Sequence, residues 1–288
     1  MSNLEPRVLF VAWDGVRDDE LAAAHTPCLD ALAARGFRAT MRVHPKNPTI
    51  SGPVWATSLT GVHSDEHGIT GNDFHGHRLG SFPDVLYRIR EGLPGASTFA
   101  TGAWAPLFSE VSGGPLLVGG GHRPMSGIGD EASRELIASI DEATTGRCAM
   151  ELLTADHSAV FAHLERPDMV GHSEGVTPRY RAAIETCDTQ LGVLLAAIDA
   201  RANRANEEWT IIVATDHGHR NEGGHGGESH EERTAWIVAV GPELNASSAS
   251  HVDHSDIAAH MLHALGLPIP SEIAGRPFGT RSAGLTPR

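Results

Sequence analysis

Four short stretches of the chain are almost wholly apolar: RVLFVAW (7–13), SAVFAHL (158–164), WTIIVATD (209–216) and TAWIVAVG (234–241). A strand with one wet face alternates apolar and polar residues, so runs like these predict strands buried on both faces. Between them, apolar residues recur at helical spacing in TPCLDALAARG (26–36), FPDVLYRIREGL (82–93) and EASRELIASIDEAT (131–144). The same spacing marks PRYRAAIETCDTQLGVLLAAIDARA (178–202) and DHSDIAAHMLHALG (253–266), and TSLTG closes a further helix that begins near Gly52. Buried strands separated by helices predict a mostly parallel sheet with helices on both faces, an α/β fold.

A chain of 288 residues is near the upper size for one hydrophobic core, so a single domain over 1–288 is expected. Its least regular part, 73–130, is expected to form a rim or lid over a site. The Gly-rich stretches 112–121 and 223–227 read as loops.

Composition narrows the function. A net charge of −14 argues against a nucleic-acid scaffold working through counterion release. It leaves room for a small anionic substrate, because bound cations reverse the local field. Cys28, Cys148 and Cys187 form no CxxC and no pairing pattern, which points to reduced thiols. The opening MSNLEPRVLFVAWDG has an apolar run of six residues ending at Asp14, a strand rather than a signal peptide. No apolar run reaches membrane-spanning length. A soluble, cytoplasmic protein without a membrane partner is expected, its oligomeric state left open.

In open α/β sheets, ligands bind beyond the carboxyl ends of the strands. The first strand ends at Asp14. The second is followed by Asp168 and His172 (PDMVGH), and the third by Asp216 and His217 (TDHGH), with His225 (GHGG) just beyond. Three carboxylates gathered at one edge repel one another and are costly to bury. Two divalent cations resolve that cost, and an all-oxygen and nitrogen donor set suits Zn²⁺ most, with Mn²⁺ the alternative.

In order, WDGVR, TPCLDALAARG, SGPVWATSLTG, HGITGN, PDMVGH, TDHG and GHGG resemble the alkaline phosphatase superfamily, most nearly its type I phosphodiesterase/nucleotide pyrophosphatase branch. The resemblance implies that fold, a three-layer α/β/α domain, and a hydrolase of phosphate esters. It implies one metal held by Asp168, His172 and His225, and another by Asp14, Asp216, His217 and the nucleophile's oxygen. Asn72 matches the residue that holds a non-bridging phosphate oxygen, with the Gly52 N–H beside it.

In this superfamily the nucleophile lies nine residues before the Thr of a TG that closes the following helix. Counting back from Thr60 gives Ser51, with Pro53 two positions on, whereas Thr49 misses the register. A helix N-terminus also favours an alkoxide and a bound phosphate. A covalent phosphoserine at Ser51 is therefore expected. A Ser in that place also serves as a plain helix cap.

Other side chains invite attention. His67 is expected to brace a turn, and His75, His77, His219 and His230 to be exposed. Trp55 and Trp104 are candidates for a pocket wall or for core, and Lys46 and Arg166 for contacts to a substrate anion. The seven residues between His217 and His225 stand where nucleotide pyrophosphatases commonly carry a long insertion, so nucleotide selectivity is not implied. Trp55, four residues after Ser51, replaces the basic residue of sulfatases. Phosphonate hydrolysis and phosphomonoester hydrolysis remain alternatives on the same frame.

Overall fold

The structure, a computed structural model, describes residues 4–124, 134–242, 244–249 and 251–279. Six strands form one sheet: β1 (Glu5–Trp13), β2 (Phe37–Arg42), β3 (Ser97–Gly102), β4 (His157–Leu164), β5 (Glu207–Ala214) and β6 (Thr234–Val240), in the order β2-β6-β5-β1-β4-β3. β1 lies parallel between β4 and β5, β3 is parallel to β4, and β6 runs against both β5 and β2.

The four apolar runs are all strands, and the sheet adds β2 and β3 at its two edges. The edge strands escape the apolar signal for a physical reason. β2, FRATMR, buries alternate residues and leaves Thr40 and Arg42 exposed, while β3, STFATG, is short and begins exposed. Edge strands tolerate such polarity.

The helices are α1 (Asp18–Ala23), α2 (Pro27–Arg35), α3 (Ser51–Thr60), α4 (Ser64–His67), α5 (Val85–Gly92), α6 (Ala105–Phe108), α7 (Arg134–Thr154), α8 (Arg166–Glu174), α9 (Pro178–Asp199), α10 (His230–Arg233) and α11 (Ser255–Ala264). Alternate residues of β1 enter separate cores. Val8, Phe10 and Ala12 pack with α3, α5 and α11, whereas Leu9, Val11 and Trp13 pack with α2, α7 and α9. Helices thus cover both faces of the sheet, and that is why β1 reads as continuously apolar. Within the expected rim, α5 and β3 belong to these layers, and residues 125–130 lie outside the described ones.

The amino edge of the sheet is closed by ion pairs. Glu207 meets Arg7 (3.0 Å) and Arg201 (2.7 Å) and accepts from the Trp209 indole (2.9 Å). The carboxyl ends of β5, β1 and β4 lie side by side at the opposite edge, where the ligand-type residues are. Cys148 and Cys187 are buried, Cys28 half-buried, and all three are free thiols. Among the described residues no helix is long and apolar enough to cross a membrane.

Candidate metal centre and nucleophile

Asp14 is the first residue beyond β1, and the chain turns immediately after it at Gly15, whose φ is +63°. A Cβ at Gly15 would stand 2.6 Å from Asp168 Oδ1 and 2.7 Å from His219 Nε2, so the close approach requires glycine. The Gly15 N–H donates to Asp216 Oδ1 (3.0 Å), which ties the ends of β1 and β5 together.

Asp168 and His172 both lie on α8, four residues apart and therefore on one face. Buried Asp141 of α7 accepts the N–H groups of Glu165 (3.0 Å) and Arg166 (2.8 Å) and so fixes the start of that helix. Asp216 and His217 follow β5 and are fully buried.

Two groups of side chains offer ligand atoms that all lie within 4.8 Å of one another: Asp14, Asp216 and His217, and Asp168, His172 and His225. They are made of the same side chains as the two sets that the family resemblance implies. A third group, Asp168, His217 and His219, links them.

The imidazoles are oriented from behind. His217 Nδ1 faces the Gly218 carbonyl (3.1 Å) and His225 Nδ1 the Thr49 carbonyl (2.8 Å), which turns each Nε2 inward. His225 Nε2 and His172 Nε2 then confront each other at 2.9 Å, and His217 Nε2 lies 3.1 Å from Asp216 Oδ2.

Electrostatics agrees with a centre built for cations. Burial, with Asp14 beside it, pushes the Asp216 carboxyl well above its ordinary range, and its Oδ2 is a buried oxygen without a hydrogen-bond partner. Burial works to raise Asp168 too, but the His219 hydrogen bond and the imidazoles of His219, His225 and His172 outweigh it and hold Asp168 low. Burial also lowers His217 strongly, and His225 as well, so both are neutral donors of a lone pair. An orphaned carboxylate oxygen and two facing imidazole nitrogens would be satisfied together by divalent cations, and the donor set fits them.

Ser51 opens α3 but does not cap it; the extended residue before it is Ile50, and no side chain caps that end. Its Oγ lies 3.3 Å from Asp14 Oδ1 and 3.3 Å from His217 Nε2. Gly61 ends the helix in the left-handed region at φ 79°. The Gly52 N–H donates to Asn72 Oδ1 (3.0 Å), so Gly52 orients Asn72, whose Nδ2 is the group left to donate. A Cβ at Gly52 would meet the Gly71 carbonyl at 2.3 Å.

Several neighbours differ from expectation. His219 is fully buried, not exposed, and its Nε2 meets Asp168 Oδ1 at 2.8 Å. Trp55 is buried and donates its indole N–H to Asp14 Oδ2 (2.9 Å), where His163 Nε2 also arrives (2.8 Å). His163 went unremarked in the sequence, although a His inside the apolar run SAVFAHL was its available signal. Lys46 pairs with Asp65 (2.7 Å), and the Arg166 guanidinium lies against Thr186 (3.5 Å). His67 does brace its turn, accepting from the Ile69 N–H (3.0 Å), while His75 and His230 are exposed and His77 is half-buried. Trp104 is half-buried just beyond β3, edge-on to Phe74.

Fold and site define an α/β domain that gathers candidate metal-ligating side chains at the carboxyl edge of its sheet. Residues 8–90 match the family model described as type I phosphodiesterase / nucleotide pyrophosphatase, and residues 136–269 the one described as metalloenzyme superfamily. Together the two matches support the alkaline phosphatase superfamily, with its nucleotide-pyrophosphatase-like branch.

Among curated relatives, a GPI ethanolamine phosphate transferase 2 of Aspergillus fumigatus is 21% identical over 93% of this chain and 36% of its own length. The human ectonucleotide pyrophosphatase/phosphodiesterase family member 7 is 24% identical over 74% of this chain and 47% of its own. The chain thus spans from about a third to about half of these relatives. Among solved structures, a 2-O GAG sulfatase shares the fold with a TM-score of 0.72 at 14% identity, over 95% of this chain and 73% of that one.

Proposed function

We propose that the chain is a two-metal hydrolase of phosphoric esters, of the phosphodiesterase/nucleotide pyrophosphatase kind, acting through a covalent phosphoserine at Ser51. The observation that carries this reading is the Ser51 hydroxyl: it leaves the helix end uncapped and turns to Asp14 and His217, within the candidate metal groups.

Asp14, Asp216 and His217 would hold one divalent ion and Asp168, His172 and His225 the other. Bound there, the ions, Zn²⁺ by preference and Mn²⁺ as the alternative, supply charge against the developing alkoxide and the phosphoryl oxygens. Ser51 Oγ attacks phosphorus, forming the O–P bond as the bond to the leaving oxygen breaks; the hydroxyl proton passes to solvent. Water then gives up a proton to solvent and forms a new O–P bond as the Oγ–P bond breaks, and Oγ takes a proton back from solvent. Asn72 Nδ2 donates to an equatorial oxygen, with Gly52 fixing the carboxamide. Buried Trp55 and His163 hold Asp14 so that its Oδ1 faces Ser51.

Two relatives named for a phosphate transferase and a pyrophosphatase/phosphodiesterase support transfer at phosphorus. Trp55, in the place of the sulfatases' basic residue and fully engaged with Asp14, speaks against sulfate esters.

The test compares bis-p-nitrophenyl phosphate, p-nitrophenyl phosphate, a nucleoside pyrophosphate, an aryl sulfate and phosphonoacetate by kcat/KM, with and without added Zn²⁺ or Mn²⁺. A phosphodiester or pyrophosphate should lead. Preference for the sulfate or the phosphonate would overturn the reading. Ser51→Ala should lower kcat by on the order of 10³-fold or more while metal content stays at wild-type level. Unchanged turnover would move the nucleophile elsewhere.

A further inference from the structure

Thr49 stands two residues before Ser51, is fully buried, and makes three hydrogen bonds to one loop. Its hydroxyl donates to the Gly227 carbonyl (2.8 Å) and accepts from the Gly226 N–H (3.1 Å). Its own carbonyl receives His225 Nδ1 (2.8 Å). A single residue therefore grips His225 and the two glycines that follow it. On its far side the loop is held independently, because Glu232 accepts the Gly227 N–H (2.8 Å) and the Ser229 N–H (3.2 Å).

We propose that Thr49 is a positioning residue that sets the His225 arm of the centre and couples it to the nucleophile's own backbone. The inference rests on the metal reading above and goes beyond it, since Thr49 is neither ligand nor nucleophile. The hydroxyl pins the loop at Gly226 and Gly227, and the carbonyl fixes the imidazole so that Nε2 points at Asp168 and His172. Extended Ile50 then joins this anchor to Ser51 over a single residue. The loop and the helix start that presents the hydroxyl thus share one anchor.

Replacing Thr49 by Val keeps the shape and the carbonyl contact but removes both hydroxyl bonds, so its effect reports the grip on the loop. The full chain, stripped with a chelator, is titrated with Zn²⁺ against a chromogenic competitor. Wild type should bind two equivalents. Thr49→Val should weaken one of the two sites by about 10-fold or more, in the range seen when the outer support of a ligand is lost. Thr49→Ser, which retains the hydroxyl, should restore it. The visible spectrum of the Co²⁺-loaded protein should change for Val and not for Ser.

His225→Ala isolates the coupling: in that background Thr49→Val should leave the remaining site unchanged, because the two substitutions act through one group. Equal weakening of both sites without rescue by Ser, or a Thr49→Val effect that persists without His225, would reduce Thr49 to a packing residue and overturn the proposal. So would wild-type affinity at both sites of Thr49→Val. A wild-type chain that binds no Zn²⁺ would instead sink the metal reading itself.

Discussion

At the residue scale, Asp168 illustrates how much the centre depends on groups behind it. One oxygen meets His219 at 2.8 Å and the other lies 3.4 Å from His172, so the carboxylate is oriented before any cation arrives. His219→Ala should therefore weaken Zn²⁺ binding about tenfold, and His219→Gln, which keeps an N–H donor, should lose less; competitive titration measures both. Equal losses for the two would mean that the donor is irrelevant. Asp14, Asp216 and His217 were legible because they stand just past apolar strands, whereas Asp168, His172 and His225 lie farther along and were picked out by PDMVGH and GHGG. His219, Trp55 and His163 were not, because their partners lie 51, 41 and 149 positions away and only folding brings them together. A spacing of two in DHGH was the available hint for His219.

At the scale of elements, the central strands were readable because both faces are covered, and the edge strands were not because theirs are partly wet. α8 is a different case. Its segment, RPDMVGHSE, lacks an apolar stripe, and its start is fixed instead by a carboxylate from another helix. Asp141 supplies the acceptors that the first N–H groups lack. Asp141→Ala should cost about 1–3 kcal/mol in chemical denaturation, the range for buried donors left unpaired, and should also weaken Zn²⁺ binding through Asp168 and His172. A loss of stability with unaltered Zn²⁺ affinity would show that α8 keeps its place without this cap.

At the scale of the whole molecule, the fold buries several imidazoles in neutral form. Burial pushes His67 down to about 4 and His260 to about 3, and neither is among the candidate ligands. Below the ordinary His value of about 6.5 the unfolded chain takes up protons that the folded chain refuses. Stability from these groups is thus complete above pH 6.5 and is lost as pH falls toward 4 and 3. The depressions, about 2.5 for His67 and about 3.5 for His260, correspond to about 3 and about 5 kcal/mol at the acid end. Thermal melts of the metal-free protein should fall through this window, and His260→Gln should flatten the fall. A melting temperature independent of pH between 6.5 and 4 would refute the account.

The reversal of β6 has a consequence for how such a domain can be elaborated. Because β6 runs against β5, the chain between Ala214 and Thr234 stays at the carboxyl edge and never crosses a face of the sheet. Within this stretch His217 and the Thr49-gripped glycines are held in place, while Glu222 between them is exposed. Lengthening a surface loop costs only about 0.6 kcal/mol per doubling. An extra module grafted at Glu222 would enter beside the candidate metal groups without disturbing any strand register, so the proposed chemistry would be redirected to new molecules by adding chain at one point.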